Sequence, residues 1–274
     1  MGGLIDPFNF TFPGSITRRV HDEQSFAQLV NESHPPLTLY PAVRITQELT
    51  PSLTHDLCHF MSTSQCLIKL TLSSSSISDD LIADLAPGLR NCSQLALLDL
   101  SRNNVSDAGV KILVNLFANH YSLNRLNLSH NRVTSDGCKL IAVALRENET
   151  LETLDLSSNR IEDEGGIQLF QALCVNLSVQ EVSLSCNYLS RKSLPFIANL
   201  LAESTILVKL DVSGNRMGDQ LNSEKFEILL HCLLKNQKIE IFDIRGCGFS
   251  YDQCEQLVPP KRRIHKPLLA RRSM

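Results

Sequence analysis

Residues 123–150 read LNRLNLSHNRVTSDGCKLIAVALRENET, and this 28-residue unit recurs along most of the chain. Its apolar residues stand at the first, fourth, sixth and eleventh positions, and an Asn stands at the ninth. Six or seven copies in phase exclude a chance match, so the period decides the fold. Further copies begin at Leu67, Leu95, Leu151, Val179 and Leu207, and a last one begins at Ile239 after a spacing of 32 residues.

Each unit combines the pattern of a strand with the pattern of a helix. In the second half of 123–128 apolar and polar residues alternate, which indicates a strand. After Asn131, the stretch 134–137 offers small oxygen-bearing side chains as helix N-caps. The apolar residues that follow are three and four apart, as on one face of a helix. Each unit is therefore predicted as strand, turn, helix and loop.

Stacking such units predicts a curved solenoid. Parallel strands stack about 4.8 Å apart, whereas helices need about 10 Å, so the helix side must fan out. The predicted fold is an α/β solenoid, a horseshoe arc with parallel strands on the concave face and helices on the convex face. The Asn side chains are expected to bond backbone groups of neighbouring turns, which would otherwise be buried without partners.

The pattern L-x-x-L-x-L-x-x-N/C-x-L resembles leucine-rich repeats. The 28-residue length with a true helix resembles the ribonuclease-inhibitor-like class, and the resemblance covers roughly residues 67–250. The phrase N-x-[VIL]-[ST]-D-x-G is similar to intracellular repeat proteins of innate-immune receptors. It is also similar to the repeat subunits of ciliary axonemes, including the dynein regulatory complex. The sequence contains no nucleotide-binding P-loop, so a whole immune receptor is not expected.

Four regions are predicted along the chain. Residues 1–36, with spaced Phe and Pro, form an extended N-terminal docking arm, and residues 37–66 form a degenerate capping unit. In that unit Leu37, Leu39 and Tyr40 are expected as a poor strand and Leu53, Leu57 and Phe60 as a helix face. Residues 67–258 hold about seven repeats and a C-terminal cap, and residues 259–274 form a basic tail.

The tail differs in charge from the rest of the chain. The chain has a net charge of −3, with 26 basic and 29 acidic residues. Six basic residues lie in the tail, so the remainder holds 20 basic against 29 acidic residues. The tail is predicted either to solubilise or localise the protein, or to attach it to an acidic surface such as tubulin tails. Its basic residues are Lys261, Arg262, Arg263, Lys266, Arg271 and Arg272.

Composition and motifs argue against several function classes. No apolar run of about 18 residues occurs, so no membrane span is expected, and the N-terminus lacks the pattern of a secretory signal. Nine Cys residues without a C-x-x-C pair predict reduced thiols in a cytoplasmic setting. Eight scattered His residues, no nucleophile elbow and no Gly-rich phosphate loop predict no enzyme activity, metal, cofactor or small-molecule substrate. Nucleic acid is not an expected partner either.

Two rows of polar residues are predicted on the strand side of the arc. The fifth positions carry four carboxylates, and the tenth positions carry three arginines and a tyrosine along one edge. Such rows are either a solvated face or a contact surface for a partner with basic residues, with Leu97, Ile241 and Tyr188 as apolar anchors. The predicted partner-binding residues are Asp99, Asp155, Asp211, Asp243, Arg125, Arg132, Arg160, Arg216 and Tyr188.

The predicted function is a non-catalytic scaffold or adaptor for protein–protein interaction. The resemblance to axonemal repeat proteins implies a large cytoskeletal or ciliary assembly, with tubulin or axonemal subunits as candidate partners. The alternative is a regulator of an enzyme, such as a GTPase activator or a nuclease inhibitor of the ribonuclease-inhibitor-like class. A third reading is a sensor fragment of an immune receptor.

Overall fold

The structure, a computed structural model, describes residues 17–20, 42–64, 66–117, 122–219 and 221–259. The longest described helices have 13 residues, whereas a membrane span needs about 20, so none of the described helices crosses a bilayer. The described strands are β1 (Thr17–Val20), β2 (Ala42–Ile45), β3 (Lys69–Thr71), β4 (Leu97–Asp99), β5 (Arg125–Asn127), β6 (Thr153–Asp155), β7 (Glu181–Ser183), β8 (Lys209–Asp211) and β9 (Ile241–Asp243). The described helices are α1 (Pro51–Thr63), α2 (Asp79–Asn91), α3 (Asp107–Phe117), α4 (Ser135–Leu145), α5 (Asp163–Val175), α6 (Leu194–Glu203), α7 (Ser223–Lys235) and α8 (Tyr251–Gln256).

The nine described strands form one parallel sheet in the order of the sequence. Leu126 pairs with Leu98 on one side and Leu154 on the other, so the register advances by one unit of 28 residues. The longer last step keeps the register, because Asp211 pairs with Asp243 and the extra residues lie between β8 and α7. The predicted α/β solenoid of leucine-rich repeats is confirmed.

The apolar positions of the unit fill the space between the sheet and the helices. Leu126 and Leu128 are 1% and 0% exposed, and Ile141 and Leu145 of α4 are both 3% exposed. One apolar cluster runs through all the described repeats. Burial raises the pKa of the Cys138 thiol to about 12, so this thiol stays protonated and packs as a small apolar side chain.

The Asn at the ninth position joins each unit to the one before it, as predicted. The Asn131 amide donates to the carbonyl oxygens of Leu128 in its own unit (3.0 Å) and Leu100 in the preceding unit (2.9 Å). Its Oδ1 accepts the backbone N–H of Val105 at 3.0 Å. In the last described unit the Cys247 thiol makes one bond of this kind, to the carbonyl of Val212. Equivalent ladders are made by Asn103, Asn159, Asn187 and Asn215.

A second ladder, which the repeat pattern did not predict, joins the starts of neighbouring helices. Oδ1 of Asp79 accepts the backbone N–H groups of Ser106 (2.8 Å) and Gly109 (3.0 Å), and Oδ2 accepts the Ser106 hydroxyl. In the same way, Asp107 accepts the backbone N–H and the hydroxyl of Thr134, and Asp163 accepts those of Ser190. A Cβ on Gly109 would lie 2.5 Å from Oδ1 of Asp79. The Gly of the S/T-D-x-G phrase therefore leaves room for the carboxylate of the previous unit.

Replacing Asp79 by Ala is expected to lower the free energy of unfolding by about 2 kcal/mol, because hydrogen bonds to a charged group are lost and the Ser106 amide loses its partner. Asp80 is a matched control, since it lies in the same helical turn but is exposed. Both substitutions remove one charge from the helix N-terminus, so Asp80→Ala isolates that contribution. Urea titrations of both variants measure the difference. Equal losses of stability would show that the ladder contributes nothing.

The two ends of the solenoid depart from the repeat. In the N-terminal unit the described strand is β2, and α1 buries Leu53, Leu57 and Phe60 as predicted, while Leu37, Leu39 and Tyr40 lie outside the described residues. Within the predicted arm 1–36, β1 pairs in parallel with β2, and the rest of the arm lies outside the described residues. The predicted C-terminal cap is α8, which begins with a capping box at Ser250. The boundaries of the four regions stay a prediction.

Candidate protein-binding surface

The carboxylates at the fifth position form the row predicted for them. The register places Asp99, Asn127, Asp155, Ser183, Asp211 and Asp243 side by side on successive strands. Each Asp also has a local structural role, because its Oδ1 accepts the backbone N–H two residues later, at 2.8 to 3.1 Å. These carboxylates therefore stabilise the turn after the strand, and each presents only one oxygen that this bond leaves free.

The acidic row is weakened further in its C-terminal half. Burial raises the pKa of Asp155, and the charge of Asp211 adds to that effect. Burial also acts against the charge of Asp243, but hydrogen bonds and the charge of Arg245 outweigh it and lower its pKa. Nζ of Lys209 forms an ion pair with Oε2 of Glu181 on the neighbouring strand, at 3.9 Å. The strand face is therefore not a uniform acidic stripe, since the charges of Asp243 and Glu181 are paired with Arg245 and Lys209.

Leu97 was expected as an exposed anchor, and this prediction is wrong. Its side chain is only 5% exposed, because the register places the long side chains of Lys69 and Arg125 on either side of it and such stems cover apolar surface. Arg125, predicted as a binding residue, stands at the third position of its unit and is itself half-buried. Ile241 is also half-buried, in the last strand. Tyr188 alone fulfils the expectation of an exposed anchor, at 61%.

The tenth positions form a second row along the loops that lead from strands to helices. The backbone N–H groups of Arg132, Arg160, Tyr188 and Arg216 each donate to the carbonyl of the residue at the eleventh position of the preceding unit, at 2.8 to 2.9 Å. This ladder fixes the four residues side by side, about 4.8 Å apart from turn to turn. All four side chains are exposed. The predicted basic edge is thus present as a row in the structure.

Arg102 and His130 extend this edge, and the sequence reasoning missed both. They stand at the eighth position, where the backbone is left-handed, with φ of +57° and +54°, and both side chains are exposed. Reading the eighth position across the copies, as was done for the fifth and tenth, would have found them. We call the six exposed residues the loop rim. The loop rim consists of Arg102, His130, Arg132, Arg160, Tyr188 and Arg216.

The strand face and the loop rim contain all of the predicted binding residues that the structure describes. The basic residues of the tail, from Lys261 to Arg272, lie outside the described residues. Over the described ranges, no three side chains of His, Cys, Asp or Glu come together as a metal site. The surface that the structure does assemble is the strand face with the loop rim.

Comparisons with known proteins agree with the repeat. A family model described as "Leucine Rich repeat" matches residues 92–114, 121–142 and 147–170. A search of the curated proteins found no relative. The repeat model and the parallel sheet together identify leucine-rich repeats.

Three of the solved structures that match this chain have TM-scores below 0.5. One is the actin-binding site 2 of leiomodin-1, with a TM-score of 0.45 and 21% identity over 54% of this chain and 84% of that one. Another is an internalin from Listeria monocytogenes, with a TM-score of 0.45 and 19% identity over 80% of this chain and 56% of that one. The third is the C-terminal domain of tropomodulin from Caenorhabditis elegans, with a TM-score of 0.39 and 12% identity over 64% and 88%. These likenesses are too distant to carry a function to this chain.

Proposed function

We propose that this leucine-rich-repeat protein is a non-catalytic scaffold or adaptor that binds other proteins through its strand face and loop rim. The observation that carries the proposal is the loop rim itself. Its side chains stand exposed and in register over five consecutive units. A solenoid of this kind offers a broad, rigid surface of repeated side chains, which suits the recognition of a protein partner.

The proposed setting is a large cytoskeletal or ciliary assembly in the cytoplasm. It is supported by the resemblance of the repeat phrase to axonemal repeat proteins. Within the proposal, the arm 1–36 and the basic tail 259–274 provide further attachment points, with tubulin or axonemal subunits as candidate partners. An acidic surface such as a tubulin tail would attract six basic residues over the range of about 8–10 Å that physiological salt allows.

Affinity purification of the full chain from its native source tests the proposal. We expect at least one protein to co-purify in a stoichiometric amount and to sediment with the chain in a large complex. The alternative, a regulator of an enzyme, is tested by adding the purified chain to a GTPase or a nuclease and measuring the rate. A changed rate without a stable large complex would replace the scaffold by a regulator, and recovery of the chain alone would contradict both.

A further inference from the structure

We propose that the loop rim binds an extended acidic segment of a partner protein, which lies across the strands and follows the solenoid axis. This inference rests on the proposed protein-binding function and names the chemistry of the partner at one surface. It differs from the sequence-based expectation, in which the partner is basic and the acidic row is the contact.

The first argument is that the positive charge of the loop rim is not compensated locally. Among the described residues, none of its four arginines forms an ion pair. The loops between strand and helix in the six units that begin with the one at Leu67 contain two carboxylates, those of Glu162 and Asp219. The acids of the strand face each bind one backbone amide within their own turn, and no described ion pair joins them to an arginine of the loop rim. The loop rim therefore offers charge that an acidic partner can complement.

The second argument concerns the helix ends at the same edge. Helices α2 to α7 each follow one of these loops, so their positive dipole ends lie along the edge that carries the loop rim. Asp79, Asp107 and Asp163 stand at the first helical position and Asp136 and Glu224 at the second, so five of the six ends carry an acid and only α6 has none. The oxygens of Asp79, Asp107 and Asp163 are held by Ser or Thr of the next unit. These carboxylates are thus fixed at the helix ends and are not available to pair with the arginines.

The third argument is the backbone at Arg102 and His130. Both residues are left-handed, a conformation that favours Gly. The eighth position is left-handed in every unit, with Ser74, Ser158 and Cys186 in three other units and Gly in the last two. The position therefore accepts side chains, and the units of Arg102 and His130 are the two in which it carries a long nitrogen-bearing one. Both side chains are exposed, and each residue stands two positions before the tenth position of its own unit.

Tyr188 gives the loop rim an apolar contact between two arginines. It stands one turn after Arg160 and one turn before Arg216, and it is 61% exposed. Tyrosine and arginine are the side chains that most often dominate the binding energy of a protein interface. An acidic segment with an apolar residue between its carboxylates would match this order of charge, ring and charge.

A protein segment fits this surface better than a nucleic acid. The chain carries a net charge of −3 and its body outside the tail is acidic, so a long polyanion would be repelled beyond the rim. A short acidic segment senses mainly the nearby arginines, because charges further than about 8–10 Å are screened at physiological salt. Four strand spacings separate Arg102 from Arg216, which is about 19 Å, and an extended segment of about six residues covers that length.

Fluorescence anisotropy with the full chain tests the proposal. The probe is a labelled peptide of about eight residues that alternates Glu and Ser, an extended length that spans the loop rim. The test variant carries Arg132→Gln, Arg160→Gln and Arg216→Gln. The control variant carries Arg90→Gln, Arg146→Gln and Lys238→Gln, which remove the same charge from exposed sites at the opposite edge, where helices end. Both variants keep the basic tail.

The expected result is a loss of peptide affinity of about tenfold in the test variant, because each exposed charge pair contributes modestly, and a change of less than about twofold in the control. Equal losses in the two variants would overturn the proposal, since the binding would then reflect net charge or the tail. A labelled oligouridylate that binds the native chain as tightly as the peptide, and is lost equally in the test variant, would overturn the choice of a protein segment.

The same variants separate this inference from the proposed function. If the native chain retains a stoichiometric partner and the test variant retains the same amount, the scaffold function stands and the acidic-segment inference falls. If the test variant loses that partner while the control variant keeps it, both stand. If the native chain retains no partner at all, the scaffold function fails whatever the peptide does.

Discussion

Replacing Leu128 by Asp is expected to lower the free energy of unfolding by about 5 kcal/mol. Leu128 is fully buried between the sheet and the helices. Truncation of such a side chain alone costs about 2–5 kcal/mol, and an unpaired charge in an apolar interior adds a further penalty. Chemical denaturation followed by circular dichroism measures the loss.

Leu177→Asp serves as the matched control, since Leu177 is 78% exposed in the loop after α5. A surface change of this kind is expected to stay within about 0.5 kcal/mol of the native chain. If Leu128→Asp behaved like Leu177→Asp, the sixth position of the unit would not face the core, and the register of every strand would have to be reassigned.

Replacing Asn131 by Ala is expected to cost about 3 kcal/mol. The buried N–H of Val105 loses the acceptor it has at 3.0 Å, and an unpaired buried donor costs about 1–3 kcal/mol. The carbonyls of Leu100 and Leu128 keep partners, because Asn103 and Asn159 also donate to them. They lose one bond each, which adds about 1 kcal/mol apiece at most.

Asn104→Ala is the control for this variant. Asn104 stands at the tenth position, is half-exposed, and has no side-chain hydrogen bond to any described residue. We expect its loss to change the free energy of unfolding by less than about 0.5 kcal/mol. Similar denaturation midpoints for Asn131→Ala and Asn104→Ala would mean that the Asn ladder does not hold the units together.

The periodic residues predicted most of the fold. Leu126, Leu128 and Asn131 occupy the places that the pattern assigned to them, because a strict repeat leaves one way to bury every apolar position at once. The Asn ladder was predictable for the same reason. Each turn buries backbone amides that a side chain at a fixed place must satisfy.

The contacts between units were harder to predict from the sequence. The hydrogen bond between Asp79 and Ser106 spans 27 residues. The Gly at the third helical position is the signal for it in the sequence, because it leaves room for the carboxylate of the previous unit. Leu97 looked exposed by its place in the strand, but the long side chains of its neighbours cover it. Burial of this kind depends on which side chains flank a position in the next unit, and a pattern within one unit does not contain that information.

The charges of the strand side were only partly predictable. The acidic row was visible in the sequence as a list of fifth positions. That each Asp accepts an amide two residues later became visible only with the backbone turn in place. The arginines of the loop rim have no such local bond, so the structure shifts the candidate contact from the acidic row to the rim.

Hydrogen exchange on the full chain, with and without a co-purified partner, tests the central claim most directly. The claim is that the strand side with the loop rim is the docking surface. It predicts slower exchange on binding in residues 101–106, 129–134, 157–162 and 185–190, and unchanged exchange in helices α2 and α4. Protection confined to the helices, with the loop segments unchanged, would contradict the account.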